Sequence, residues 1–73
     1  MDLNSIEEGL KVKITKLGDT KGMNINPRHL EVRKVGVIGT ILGYVPGHGG
    51  HVLWVKHENG EIGAYVFNEF EKA

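Results

Sequence analysis

Side chains able to do chemistry concentrate in two neighbouring stretches of the chain. The first, Pro46-Gly47-His48-Gly49-Gly50-His51, sets two imidazoles three residues apart, with His57 and Glu58 close behind. Imidazole nitrogens and a carboxylate oxygen are zinc donors. The spacing matches no closed zinc site, however, and there is no cysteine to complete one. We therefore expect a flexible glycine loop with solvent-exposed imidazoles at His48 and His51, and neither a metal nor a cofactor. A phosphate loop is excluded on other grounds. The G-K-[ST] ending is absent, and the loop leads into a strand rather than a helix.

The second stretch, Val52-Leu53-Trp54-Val55-Lys56, holds the one tryptophan. Strand alternation leaves two phases open: Trp54 outward with Val52 and Lys56, or Trp54 in the core. An outward aromatic on a barrel serves as an anchor in a peptide groove or as a stacking platform for bases. Tyr44, Tyr65, Phe67 and Phe70 complete the aromatic set. Most of these should be core or seam, and Tyr65 is the one expected beside Trp54. Lys11, Lys13, Arg28, Arg33, Lys34 and Lys56 could form a local basic patch. Arg33 and Lys34, with Arg28 nearby, read as a solvated loop face rather than a phosphate site.

Catalysis finds little support. Ser5, Thr15, Thr20 and Thr40 have no suggestive neighbours, and no G-x-S-x-G elbow is present. Glu58, Glu61, Glu69 and Glu71 read as strand-exit and surface charges rather than as a carboxylate pair. A barrel of 73 residues also offers little concave volume for a substrate. We expect no enzyme.

The composition sets the wider bounds. Length allows one domain, spanning 1–73 with residues 1–9 as a lead-in, and a chain this short buries only about 60% of its unfolded surface. Nine basic residues balance nine acidic ones, so the overall positive charge that drives non-specific nucleic-acid binding is missing. Met1 to Leu10 is acidic and polar, unlike a signal peptide. No apolar run approaches the roughly 20 residues that span a bilayer. The expectation is a cytoplasmic protein without membrane contact. Eleven glycines against two prolines point to turns and bulges.

Hydrophobic spacing supplies the elements that must position these residues. In Asp2 to Gly9, Ser5 and Glu8 have capping-box spacing and Gly9 would end a helical turn, with Leu3 and Ile6 covering one end of the core. Leu10 to Leu17 alternates, with Leu10, Val12 and Ile14 on one face, as a half-buried strand does. Gly18 to Lys34 is a long connection that could make one helical turn after an Asn26 cap, with Pro27 at its first position. Met23, Ile25 and Leu30 are available to pack it down. Val35 to Val45 is apolar on both faces and interrupted by glycines, which predicts a bent strand. Val52–Glu58 and Glu61–Phe67 flank Asn59-Gly60, a two-residue hairpin turn with both residues at positive φ. Asn68 to Ala73 leaves room for a short last strand carrying Phe70. Five strands close most readily as a small barrel, which removes exposed edges.

This succession resembles an SH3-like barrel: all-β and five-stranded, with a long first loop and short helical turns. Gly18–Lys34 stands in the place of the RT loop, Pro46–His51 in that of the n-Src loop, and Asn59-Gly60 at the distal hairpin. Val35-Gly36-x-x-Gly39-Thr40-Ile41 is similar to the V-G-x-x-G-T-V run of small SH3-like modules. Those include the Mib/HERC2 domain and the photosystem I and nitrile-hydratase-type barrels. His57-Glu58-Asn59-Gly60 followed by Tyr65 resembles the W-D-N-G…Y block of Mib/HERC2 domains. His57 replaces the tryptophan of that block, and the W-x-W-G-x-Q-D-G-G signature is missing. The A-L-Y-D-Y text of SH3 domains that bind proline-rich peptides is missing too. The size also suits small SH3-like proteins of bacteria and their prophages, such as the YorP type.

The resemblance implies that Leu53 and Val55 point inward, with Val52, Trp54 and Lys56 outside. It carries over a fold and no ligand. The expected function is a non-enzymatic binding module or accessory subunit with a protein partner. Its site would be framed by the two loops and Trp54, using Trp54, Tyr65, His48, His51, Arg28 and Lys56. The alternative is nucleic-acid binding on a barrel face through Trp54 and the local Lys and Arg residues.

Overall fold

The computed structural model describes residues 6–73. Among them are five strands and one short helix: β1 (Lys11–Ile14), α1 (Pro27–Glu31), β2 (Ile38–Tyr44), β3 (Val52–His57), β4 (Ile62–Val66) and β5 (Phe70–Lys72). All strand pairs are antiparallel, in one sheet of order β4-β3-β2-β1-β5. The fold is the all-β, barrel-like one expected, with a long first loop. No helix of the described residues is long and apolar enough to cross a membrane.

Alternation builds the first core. Val12 and Ile14 of β1 are fully buried while Lys11 and Lys13 face water. Ile41, Leu53, Val55, Tyr65 and Phe70 join them, and Ile6 closes one end. The partner expected for Ile6, Leu3, lies outside the described residues, as does Ser5 of the capping pair. Ile6 leads into a tight turn rather than a helix, closed by the Leu10 N–H on the Glu7 carbonyl at 3.1 Å. β1 is shorter than its alternating pattern because the Thr15 N–H turns aside to the Glu69 carbonyl, 2.9 Å away. Leu17 is left 43% exposed.

The glycine-broken strand is bent as anticipated, with a register shift between Ile41 and Gly43. It begins later than its apolar run. Val35 sits in a turn at 51% exposure. Gly39 is required for another reason: a Cβ there would lie 2.6 Å from the Lys56 carbonyl oxygen and 2.7 Å from Val55 Cγ1. The paired strands approach so closely at that point that no side chain fits.

The distal hairpin is not the two-residue turn expected. Only Gly60 has positive φ (92°), and Asn59 does not. The His57 N–H bonds the Glu61 carbonyl at 2.7 Å, and the Gly60 N–H bonds the His57 carbonyl at 2.9 Å. That is a three-residue loop ending in a left-handed glycine. Asn59 favours it locally, because its Oδ1 accepts the Glu61 N–H at 3.0 Å and its Nδ2 donates to Glu61 Oε1 at 2.6 Å. The extra loop residue sets the register: Leu53 faces Tyr65, and Trp54 faces Ala64.

Replacing Gly39 by alanine should lower stability by about 1–3 kcal/mol, the usual range for forced overpacking. Urea denaturation checks this as a lower midpoint at unchanged slope. A midpoint equal to wild type would show that β2 and β3 can part without penalty.

Candidate functional site

The long connection between β1 and β2 does not hang in solvent. Met23, Ile25 and Leu30 pack with Trp54 and Val66 against buried Val45, Val52 and Ala64. Val52, Trp54, Ala64 and Val66 lie on the face of β3 and β4 opposite to Leu53, Val55 and Tyr65, so the loop covers the sheet's outer face with a second small core. The anticipated packing residues do this work. The anticipated helical turn is present as α1, capped by Asn26, whose side chain accepts the Arg28 N–H at 3.1 Å.

One side chain ties the loop down at both ends. Glu69, in the turn between β4 and β5, is 1% exposed. Its Oε1 accepts the Val66 N–H at 2.7 Å. Its Oε2 accepts the Gly18 N–H at the start of the loop and the Arg33 guanidinium near its end. The Arg33 and Glu69 side chains are 3% and 2% exposed, so this is a buried ion pair. Both residues correct the sequence reading, which placed Arg33 on a solvated loop face and Glu69 among surface charges. The ionised carboxylate is held inside because three donors converge on it.

A second anchor lies next to the first. The Tyr65 hydroxyl accepts the Lys34 N–H at 3.1 Å and lies 2.8 Å from His57 Nε2. The tautomer of His57 sets which of the two donates in that second bond. Burial pushes the His57 imidazole below its ordinary value, against a smaller opposing pull from Glu61. Burial pushes the Tyr65 phenol up, partly offset by the Lys34 N–H and the Arg33 charge. The Arg33 guanidinium carbon stands 5.5 Å from the centre of the Tyr65 ring, within cation–π reach.

The loop and the sheet together form a shallow hollow of about 180 Å3, lined by His29, Leu42, Trp54 and Ile62. Trp54 is half-buried, and its ring meets the His29 ring edge-on at 4.9 Å between centroids. His29 Nδ1 lies 2.8 Å from the Ile62 carbonyl oxygen, which fixes α1 beside β4. Leu42, at 39% exposure, gives the hollow an open apolar rim. A wider hollow of about 340 Å3 adjoins it through His29 and Ile62, and its walls include Arg28, Glu31 and Glu61. An apolar floor beside a charged wall suits a side chain and backbone of another polypeptide.

Trp54 stands in the outward phase, with Lys56 exposed two residues along and Arg28 exposed on α1. Tyr65 is not beside Trp54. It is fully buried on the opposite face, because the three-residue hairpin loop pairs it with Leu53. Neither His48 nor His51 lines the Trp54 hollow. His48 is half-buried and staples two loops, its Nδ1 2.9 Å from the Pro46 carbonyl and its Nε2 accepting the Asn24 N–H at 3.3 Å. His51 is exposed and tilts against Phe67 at 5.6 Å. With His57 engaged by Tyr65, the imidazoles are not gathered: no group of three or more His, Cys, Asp or Glu among the described residues could hold a metal.

Comparison with family models, with curated proteins and with solved structures finds no match for this chain. The geometry therefore has to carry the functional reading. It adds His29, Leu42 and Ile62 to the site, and Arg33 and Glu69 as the pair that anchors the loop carrying His29. Of these, only His29 had a local signal, its place in the capped Asn26-Pro27 turn.

Glu69→Gln should cost about 3–5 kcal/mol, because it strands the buried Arg33 charge. That is a large share of the roughly 4–11 kcal/mol typical of a domain this long. Glu71→Gln, exposed on β5, should change stability by less than about 0.5 kcal/mol. Equal urea midpoints for the two variants would show that the ion pair does not hold the fold.

Proposed function

We propose that this chain is a small non-enzymatic protein-binding module, or the accessory subunit of a larger assembly. It takes a segment of its partner in the hollow formed by Leu42, Trp54, Ile62 and His29. The observation that carries the reading is the position of Trp54. Its inner part is held by the second core while the remainder floors an open apolar hollow. Binding sites between proteins favour an aromatic anchor supported from behind and left open in front. The balanced charge of the chain fits a protein partner better than a polyanion. The likeness to small SH3-like modules points the same way, by analogy of fold.

One observation supports nucleic acid as the second reading. Lys11 and Lys56 both pair with Thr40, so two exposed lysines flank one position of β2 on the outer face, two residues from Trp54. Arg33 no longer belongs to that basic set, since its charge is neutralised internally. His29 also covers part of the Trp54 ring, which leaves less of it for base stacking.

Trp54 is the sole tryptophan, so its emission reports on the hollow directly. Peptides selected from a random display library on the wild-type domain should shift that emission. They should bind Leu42→Glu at least about tenfold more weakly, a difference near 1.4 kcal/mol. Equal binding to both proteins would move the site elsewhere. A single-stranded oligonucleotide that shifts Trp54 emission at low salt, and weakens steeply as salt rises, would favour the second reading.

A further inference from the structure

We propose that Asn59 is a latent site of self-modification, whose side-chain amide cyclises onto the Gly60 nitrogen with loss of ammonia once the hairpin bonds to Glu61 and His57 open. The chemistry needs only the chain and water. The Gly60 backbone nitrogen gives up its proton and bonds to Asn59 Cγ, the Cγ–Nδ2 bond breaks, and Nδ2 leaves as ammonia. Water then opens the cyclic imide at either carbonyl. One opening leaves aspartate at position 59, and the other leaves an isoaspartyl link with an extra methylene in the main chain. Water enters and ammonia leaves, with no oxidant or reductant involved.

The sequence singles out this position. Attack needs a backbone N–H on the following residue and open space around it. Asn4 precedes serine, Asn24 isoleucine and Asn68 glutamate, whose side chains crowd the approach. Asn26 precedes proline, which has no N–H. Gly60 alone among these neighbours has no side chain, and even a Cβ built there would meet nothing within 4 Å. Asn59 and Gly60 are both exposed, so water reaches them freely.

The folded hairpin engages each group that the reaction uses. The Gly60 N–H, at the nucleophile, donates to the His57 carbonyl at 2.9 Å. Asn59 Nδ2, the leaving group, donates to Glu61 Oε1 at 2.6 Å. Asn59 Oδ1 accepts the Glu61 N–H at 3.0 Å, the bond of an Asx turn. The amide is thus held to the residue beyond Gly60 and must give up these bonds before it can turn onto the Gly60 nitrogen. The two side-chain bonds are exposed and local, so they open without the barrel unfolding. Conversion also weakens the hairpin. A carboxylate at position 59 has no proton to donate to Glu61 Oε1 and adds a like charge beside it. The isoaspartyl link lengthens the loop that sets the pairing of Leu53 with Tyr65.

The test incubates the wild-type protein at mildly alkaline pH, folded in buffer and unfolded in guanidinium chloride. Peptide mass spectrometry reads position 59 as amide, aspartyl or isoaspartyl. In the unfolded chain Asn59 should convert ahead of every other asparagine. In the folded protein it should convert at least about tenfold more slowly, since only the open fraction of the hairpin reacts. Glu61→Ala removes the acceptor of Nδ2, and a melting curve first establishes that the variant is folded at the incubation temperature. It should speed conversion in the folded protein and leave the unfolded chain near the wild-type rate. Equal rates for folded and unfolded wild type would overturn the proposal, as would an Asn59 that stays intact in the unfolded chain. Folded Glu61→Ala converting as slowly as folded wild type would overturn it too, because Glu61 would then hold nothing back.

Discussion

A carboxylate shut away from water keeps its charge only where donors are supplied for it. Glu69 meets that demand with three donors drawn from separate parts of the chain: Val66 on β4, Gly18 at the start of the long loop, and Arg33 near its end. Its carbonyl adds a fourth and a fifth tie, accepting the Thr15 and Lys16 N–H groups as β1 leaves the sheet. That one residue ties the long loop to the sheet at both of its ends. The charge cannot leave without stranding Arg33, and the loop cannot leave without stranding the charge.

The loop so held solves a problem of size. A chain of 73 residues has little apolar surface to bury, and a single core inside the barrel would be small. Laying Met23, Ile25 and Leu30 over the outer face of β3 and β4 adds a second core at the expense of ordering one loop. The same layer stops short of Leu42 and covers Trp54 only in part. The candidate site is thus the unfinished edge of the second core. The fold and the candidate site draw on the same packing.

Much of the fold was legible because it is written in short-range patterns. Period-2 alternation located β1, Asn59-Gly60 flagged the hairpin of β3 and β4, glycines marked the bend in β2, and Asn26-Pro27 announced α1. The outward phase of Trp54, implied by the resemblance to SH3-like modules, also holds. The failures share a physical cause, which is that local text does not reveal long-range partners. Arg33 and Glu69 are 36 residues apart in sequence, and each alone looks like an ordinary surface charge. Tyr65 failed through register. A two-residue Asn59-Gly60 turn would place it opposite Trp54, but the Asn59 side chain bonds Glu61 and favours a three-residue loop. One residue of slip moves a side chain to the other face of the sheet, and here it delivers Tyr65 to the core beside His57. The site residues missed, Leu42 and Ile62, are apolar positions that gain meaning only once the loop shows how much of the outer face it leaves open.

Glu69 holds the long loop against the barrel, and the Gly18 amide tests that role most directly. Gly18 is exposed and lies in no strand or helix, so its N–H has no secondary structure to protect it. Only the Glu69 carboxylate holds it. Native-state hydrogen exchange on the wild-type protein should find the Gly18 amide protected to nearly the same degree as that of Val66, which bonds the same carboxylate from β4. A Gly18 amide that exchanges at the rate of an unstructured peptide, while Val66 remains protected, would contradict it.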